Sequence, residues 1–415
     1  VSYEMLGPLR VVESAAFIAA PLAGLILAQY GADVIRVDAI GGGIDYGRMP
    51  RMPRRDGQGR SLYWTGLNKG KRSIAVDVRR PEGRELVQQL AAAPGPDAGV
   101  LLTNLGAPWL SHGVLAALRH DMVTCTIQGN GDGSPAVDYT VNSATGYPMM
   151  TGSGRDGPVN HVLPAWDVAC AHHAAFLVAA VVGRRRRTGE GREIFLALSD
   201  IAFSTLSHLG VLAETEVLGQ ERPAIDNYLY GAFGRDFVTA DGHRLMVAAI
   251  SAGQWASLVE ACSLSDEVAR IEENSGLDLR DEAQRFEARE PIAQALEAWF
   301  AKRSRSEVET LFKAERVLFG PYRSVAELLD SDPRVSLANP VFERLDTPGI
   351  GSHLSAGAAA RIPGLARAPS RPAPLLGTHT DEVLHEVLGL SGAAIGKLHD
   401  AGIVAGPERD PAAKA

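Results

Sequence analysis

The chain has 415 residues, of which 46% are apolar, 22% charged and 6% aromatic, with 44 glycines and 24 prolines. At roughly 150 residues per domain this is two or three structural units, and the composition excludes a disordered, collagen-like or coiled-coil chain. The net charge of −8 lacks the basic footprint of a nucleic-acid binder.

The widely spaced Cys125, Cys170 and Cys262 offer neither a disulfide framework nor a zinc or redox pair. A reducing, cytoplasmic setting is expected. The apolar runs 15–28, broken by Pro21, and 174–183 are shorter than the roughly 18 to 20 residues of a membrane-spanning helix. The first residues carry no export signal, so neither a membrane nor nucleic acid is an expected partner.

In chain order, residues 9–13 (LRVVE) read as a short buried strand, 22–30 as a helix ended by Gly31, and 33–38 (DVIRVD) as a second strand. Strands follow at 73–77, 99–103 and 122–128, with a helix at 81–92 among them. The alternation predicts an α/β fold in which helices cover a parallel sheet. Two Gly- and Pro-rich stretches, 41–59 and 129–158, exceed plain connections and are candidate site loops. A long helix is expected over 166–187, entered after Pro164 and stopped at Thr188-Gly189, before a strand at 193–198. From about residue 212 the texture changes to a hairpin, 233–241 with 243–250, and a charge-rich helical stretch over 254–316. Residues 354–374 lack periodicity and read as an extended strap, and 381–403 as a helical tail.

The first β-α turn carries no G-x-G-x-x-G, so Asp38 at the end of the second strand is not read as the ribose-binding acid of a dinucleotide site. Lys69, Lys71 and Arg72 form a basic knot before a strand, either a solvated loop or a phosphate site. Arg184 to Arg187 fall in the last turn of a helix, where cations complement the dipole. Asp167 opens the long helix in apolar surroundings. It is either a helix cap or a carboxylate nucleophile, kept ionised by the dipole and free backbone N–H groups and aimed at an activated acyl group such as a thioester. His161, in the preceding loop, is a better site candidate than His172 or His173, and Asp200 reads as a cap. No HExxH, GxSxG or Walker loop occurs.

Several segments together resemble the family III CoA-transferases. They are Phe17-Ile-Ala-Ala-Pro21, Gly31-Ala-Asp-Val-Ile35, Lys71-Arg-Ser-Ile74, Asn104 at a strand end, Arg187-Thr-Gly-Glu-Gly-Arg192 and Leu376-Gly-Thr-His-Thr-Asp-Glu-Val-Leu384. Three further segments, 159–167, 227–237 and 398–407, resemble a branch of that family that moves CoA between the two carboxyl groups of one branched, unsaturated C5 diacid.

The resemblance implies that Asp167 is the nucleophile, forming an aspartyl-CoA thioester. It puts CoA binding on Phe17, Ile18, Ala19, Ala20, Lys71, Arg72, Asn104 and Tyr139. By polarity and position, Asn160, His161 or Arg235 holds the substrate's distal carboxylate. Oxyanion donors are expected near Ala19 and Ala20 or in the loop 152–154. The resemblance also implies a Rossmann-like large domain built from both chain ends (1–210 and 336–415), a small α+β domain (211–335) and an interlocked homodimer. No metal is expected, nor any cofactor beyond the CoA that the acyl-CoA substrate carries.

The alternatives are an intermolecular transferase between dicarboxylic acids and an α-methylacyl-CoA racemase. Racemases of the family carry a histidine where this chain has Val137, so the proton-abstracting base is missing. The glycine-rich lid of formyl-CoA transferase is replaced by Ile250-Ser-Ala-Gly-Gln-Trp255.

Overall fold

The computed structural model describes residues 2–53, 59–155 and 157–414. Its strands in chain order are β1 (Arg10–Ser14), β2 (Asp33–Asp38), β3 (Arg72–Val76), β4 (Val100–Thr103), β5 (Val123–Gln128), β6 (Glu193–Ala197), β7 (Phe233–Val238), β8 (Arg244–Ala249), β9 (Leu318–Pro321), β10 (Phe342–Thr347), β11 (Gly351–Ala356) and β12 (Val404–Ala405). The chain divides into two compact units: Val1–Gly146, Asn160–Gln220 and Pro333–Ala415 form the first, and Tyr147–Val159 with Glu221–Asp332 the second. The short piece 147–159 joins the second unit through Asp226, whose N–H donates to Gly152 O at 2.8 Å.

The first unit is built on a seven-stranded sheet in the order β12-β3-β2-β1-β4-β5-β6. β1 to β6 pair in parallel, with Val12 opposite both Ile35 and Leu101. Ile35, Ile74, Leu101 and Val123 are fully buried, as expected of parallel strands covered on both faces, whose sequences read as continuous apolar runs. Leu86, Val87 and Leu90 of the helix Pro81–Ala92 and Val383 and Leu384 of the helix Thr380–Leu388 complete a core against that sheet. β12 runs antiparallel to β3 and covers an otherwise open edge.

The first helix is longer than expected, Ala19–Gln29. Pro21 lies in its first turn, where a missing N–H costs no intrahelical bond, so it does not interrupt the apolar run. The long helix spans Ala165–Thr188 and ends on Gly189 at φ 72°. By length and composition alone it could cross a membrane, a point that the shorter run 174–183 concealed. Here it packs along the helix Ala19–Gln29 and β5, with Cys170, Ala171, Ala174 and Val178 buried, as a core helix.

The second unit pairs β7, β8 and β9 antiparallel. Phe233, Phe237, Trp255, Phe300 and Phe312 form its core against the helices that follow. The expected hairpin is present as β7 and β8. In the first unit, the start of the expected strap is instead β11, paired with β10 from Phe342 opposite Ala356 to Thr347 opposite Gly351.

Candidate active site

The strand order reverses between β1 and β4: the chain leaving β1 builds β2 and β3 on one side, and β4 opens the other. Doubly wound sheets bind ligands at such a switch point, outside the carboxyl ends of the strands. A cavity of about 320 Å³ opens there, with Phe17, Ile18 and Ala19 after β1, Asn104 after β4, and Tyr139 and Asp167 on its wall.

The turn after β1 is held open by two side chains. Asn104 accepts the Ala16 N–H at 2.9 Å and donates to Ala16 O at 2.8 Å, while Asp45 accepts the Phe17 N–H at 2.9 Å. Phe17 sits at φ 63°, a left-handed conformation that a bulky residue adopts only under restraint. Asp45 is buried, and Arg36 backs it at 3.5 Å while bonding Asp38, Glu13 and Ala15 O. This geometry starts the helix Ala19–Gln29 at the cavity. The Ala19 and Ala20 N–H groups have no acceptor among the described residues, as the first amides of a helix do not. Ala19 is on the cavity wall and Ala20 is buried behind it.

Asp138, in the short helix Asp138–Ser143, organises the opposite wall. Its buried carboxylate accepts the N–H groups of Trp166 at 2.7 Å and Asp167 at 3.1 Å, and its other oxygen meets His161 Nε2 at 2.9 Å. The long helix is therefore capped from another element, and Asp167 is relieved of that duty. The Asp167 carboxylate makes no hydrogen bond among the described residues. Burial first, and the Asp138 charge second, push its pKa up to about 7, against a smaller opposing pull from Arg48. The Asp167 N–H, expected to be free to support the carboxylate, is taken by Asp138, and burial opposes the ionisation that the helix dipole favours.

Two cavity residues escaped the sequence reading. Arg48 lies in the flagged loop 41–59. Its guanidinium stands 5.1 Å from the Tyr63 ring centre and 5.6 Å from that of Phe17, with no carboxylate partner among the described residues. The Tyr63 hydroxyl is buried, finds no hydrogen-bond partner among the described residues, and is pushed up to about 12 by burial. No motif marks either residue; only the loop's length and glycine content drew attention to it. A larger groove of about 1100 Å³ in the second unit is lined by Glu260, Asp266, Glu272 and Asp278, with Arg280 already paired to Asp278. It is ill suited to an anionic ligand.

The family model for CoA-transferase family III matches residues 6–380. The chain is a family III CoA-transferase. It is 49% identical to the 2-methylfumaryl-CoA isomerase of Chloroflexus aurantiacus, across 97% of this chain and 98% of that protein. It is 28% identical to the succinyl-CoA:mesaconate CoA-transferase of Haloarcula hispanica, across 92% and 96%. Among solved structures, a CAIB/BAIF family protein from Brucella suis superposes with a TM-score of 0.74 at 23% identity, over 93% of this chain and all of that one, a likeness of fold.

Of the residues expected in the site of this CoA-transferase, Phe17, Ile18, Ala19, Asn104, Tyr139 and Asp167 meet at the cavity. Lys71 and Arg72 do not. Lys71 Nζ is buried under the helix Ala19–Gln29, bonded to Glu13 at 2.8 Å, Pro21 O and Asn68, and burial pushes its pKa down to about 8. Gly24 makes room for that pair, since a Cβ there would lie 1.8 Å from Glu13 Oε2. Arg72 is shared among Asp33, Glu382 and Glu386 at 2.6 to 3.0 Å. Both cations are neutralised within the fold.

Asn160 and His161 stand behind the wall rather than on it. Asn160 Oδ1 accepts from Asn142 at 2.6 Å, and His161 is engaged by Asp138. Arg235 lies in the second unit, paired with Glu297 at 2.8 Å and stacked on Tyr228. The loop 152–154 belongs to that unit too. Asp38 is buried against Arg36 and Ser73. Among the described residues no group of three or more His, Cys, Asp or Glu side chains is placed to hold a metal.

Proposed function

We propose that this CoA-transferase converts 2-methylfumaryl-CoA (mesaconyl-C1-CoA) to 3-methylfumaryl-CoA (mesaconyl-C4-CoA) by moving CoA between the two carboxyl groups of one diacid. The observation that carries this reading is the Asp167 carboxylate, half-buried in the switch-point cavity and without a hydrogen bond among the described residues. The 49% identity to an isomerase of this substrate, along nearly the whole of both chains, supports the choice of diacid.

An Asp167 oxygen attacks the carbon-1 thioester. The oxyanion lies toward the Ala19 and Ala20 N–H groups, the C–S bond breaks, and CoA thiolate leaves a mixed anhydride. The thiolate then attacks the aspartyl carbonyl and the anhydride C–O bond breaks. The products are an Asp167-CoA thioester and free 2-methylfumarate. Its carbon-4 carboxylate attacks that thioester, expelling thiolate again. The thiolate adds to carbon 4, and cleavage of the bond to Asp167 restores the carboxylate. No proton is gained or lost, and the CoA is carried in by the substrate. Keeping the diacid in the cavity makes the return step effectively intramolecular.

Val137 on the cavity wall places no imidazole where a racemase base would stand, which disfavours racemisation. The same proposal includes a homodimer, supported by the exposed Leu209, Val217 and Leu218, and a cytoplasmic location, supported by three buried free cysteines. Asp167→Ala is expected to lower isomerisation by ~10³-fold or more, and rapid quenching of the native enzyme to yield a CoA adduct on Asp167 by mass spectrometry. Full activity in Asp167→Ala would sink the mechanism. Entry of labelled free 2-methylfumarate into the product would replace it with an intermolecular exchange.

A further inference from the structure

The isomerase reading requires that a dicarboxylate, once released from CoA, stay in the cavity and present its second carboxylate to the Asp167 thioester. Something must hold the carboxylate that is not reacting. The polar residues expected to do so are engaged elsewhere: Asn160 with Asn142, His161 with Asp138, and Arg235 with Glu297. What remains on the wall is Arg48, unpaired among the described residues, and Tyr63, whose buried hydroxyl has no partner among them.

Resting on that reading, we infer that Arg48, seated against the Tyr63 ring, is the carboxylate clamp that binds whichever end of the diacid is not bonded to CoA or Asp167. A guanidinium offers two parallel N–H donors that match a carboxylate. This one is held by the Phe17 and Tyr63 rings at 5.6 and 5.1 Å, so little side-chain freedom is lost on binding. Phe17 belongs to the turn that carries the oxyanion donors, so the clamp and the reacting carbonyl are fixed to one piece of backbone.

The fumarate skeleton places its carboxylates trans, at opposite ends of a rigid unit. One cation in the same cavity as one nucleophile therefore serves both half-reactions: the carbon-4 carboxylate rests on Arg48 while carbon 1 is on Asp167, and the two ends exchange places between the steps. Arg48 thus sets two properties at once, the preference for a diacid and the retention of the free intermediate.

The test compares the native enzyme with Arg48→Gln and Arg48→Lys. Each is given 2-methylfumaryl-CoA in the presence of isotope-labelled free 2-methylfumarate, and separately an α,β-unsaturated acyl-CoA without the second carboxylate. Isomerisation, label in the product thioester and the CoA adduct on Asp167 are followed together. Arg48→Gln is expected to slow isomerisation about 10- to 100-fold, the loss of a charged hydrogen-bonding partner. It should also let labelled diacid into the product, with Arg48→Lys intermediate. With the monocarboxylic thioester, Arg48→Gln should slow formation of the Asp167 adduct much less than it slows isomerisation, the remainder reflecting the lost pull of Arg48 on Asp167. Adduct formation also shows that the variant is folded, and the difference shows that the cation acts on the second carboxylate.

Equal slowing with both thioesters, or native isomerisation without label entry in Arg48→Gln, overturns the clamp while leaving the Asp167 mechanism intact. Absence of an Asp167 adduct in the native enzyme with either thioester overturns the mechanism itself.

Discussion

Asp138→Asn tests how the site controls its nucleophile. In the native fold Asp167 is raised from 3.8 to about 7, a penalty of roughly 4 kcal/mol on the carboxylate at 1.36 kcal/mol per pH unit. Burial is the larger part and the Asp138 charge the next. Removing a neighbouring like charge typically lowers a carboxyl pKa by about one unit or more. The asparagine Oδ1 can still accept one N–H of the long helix, so the cost in stability should stay near 1 to 2 kcal/mol.

Because kcat/KM reports the free enzyme and the nucleophile must be ionised, the native profile should fall tenfold per pH unit below a midpoint near 7. The variant's midpoint should move toward about 6, raising the ionised fraction at pH 7 from roughly half to roughly nine-tenths. The assay is the initial rate of 2-methylfumaryl-CoA isomerisation at subsaturating substrate from pH 5 to 9, with circular dichroism to confirm that the variant is folded. A native profile flat across that range, or a midpoint unmoved or raised in Asp138→Asn, would refute the account.

Asn104→Ala removes both hydrogen bonds that pin Ala16. It should cost about 1 to 3 kcal/mol in denaturant unfolding and lower kcat ~10-fold or more with a smaller change in KM, since the turn carries the proposed oxyanion donors. Gly24→Ala drives a methyl group into the buried Glu13 carboxylate. A destabilisation of about 3 kcal/mol, read as a fall in Tm, is expected from overpacking and disturbance of the Glu13–Lys71 pair. A native Tm in that variant would show that the pair can move aside.

Much of the sheet could be read before folding because fully buried parallel strands announce themselves. LRVVE, DVIRVD and the apolar run before Thr103 need no partner to be recognised, and the helix Pro81–Ala92 carries its own start signal in Pro81. β12, with two residues, and the β10–β11 hairpin carry too little local pattern, so their existence depends on the edge or strand they pair with. Asp167 was legible as an unusual acid at a helix start. Its freedom from capping was not, because the cap comes from Asp138, 29 residues earlier in the chain.

Sequence by itself thus determined the α/β class, the family and the candidate nucleophile, all of which rest on short local strings and their order. Only the tertiary structure decided which charges are free to act. Lys71 and Arg72 look available in a basic knot, yet Glu13 lies 58 residues from Lys71, and Glu382 lies 310 residues from Arg72. Arg48, in a loop with no motif, makes no ion pair among the described residues and stands on the cavity wall. A side chain's charge is written in the sequence, but its neutralisation depends on neighbours that only folding brings within a few ångströms.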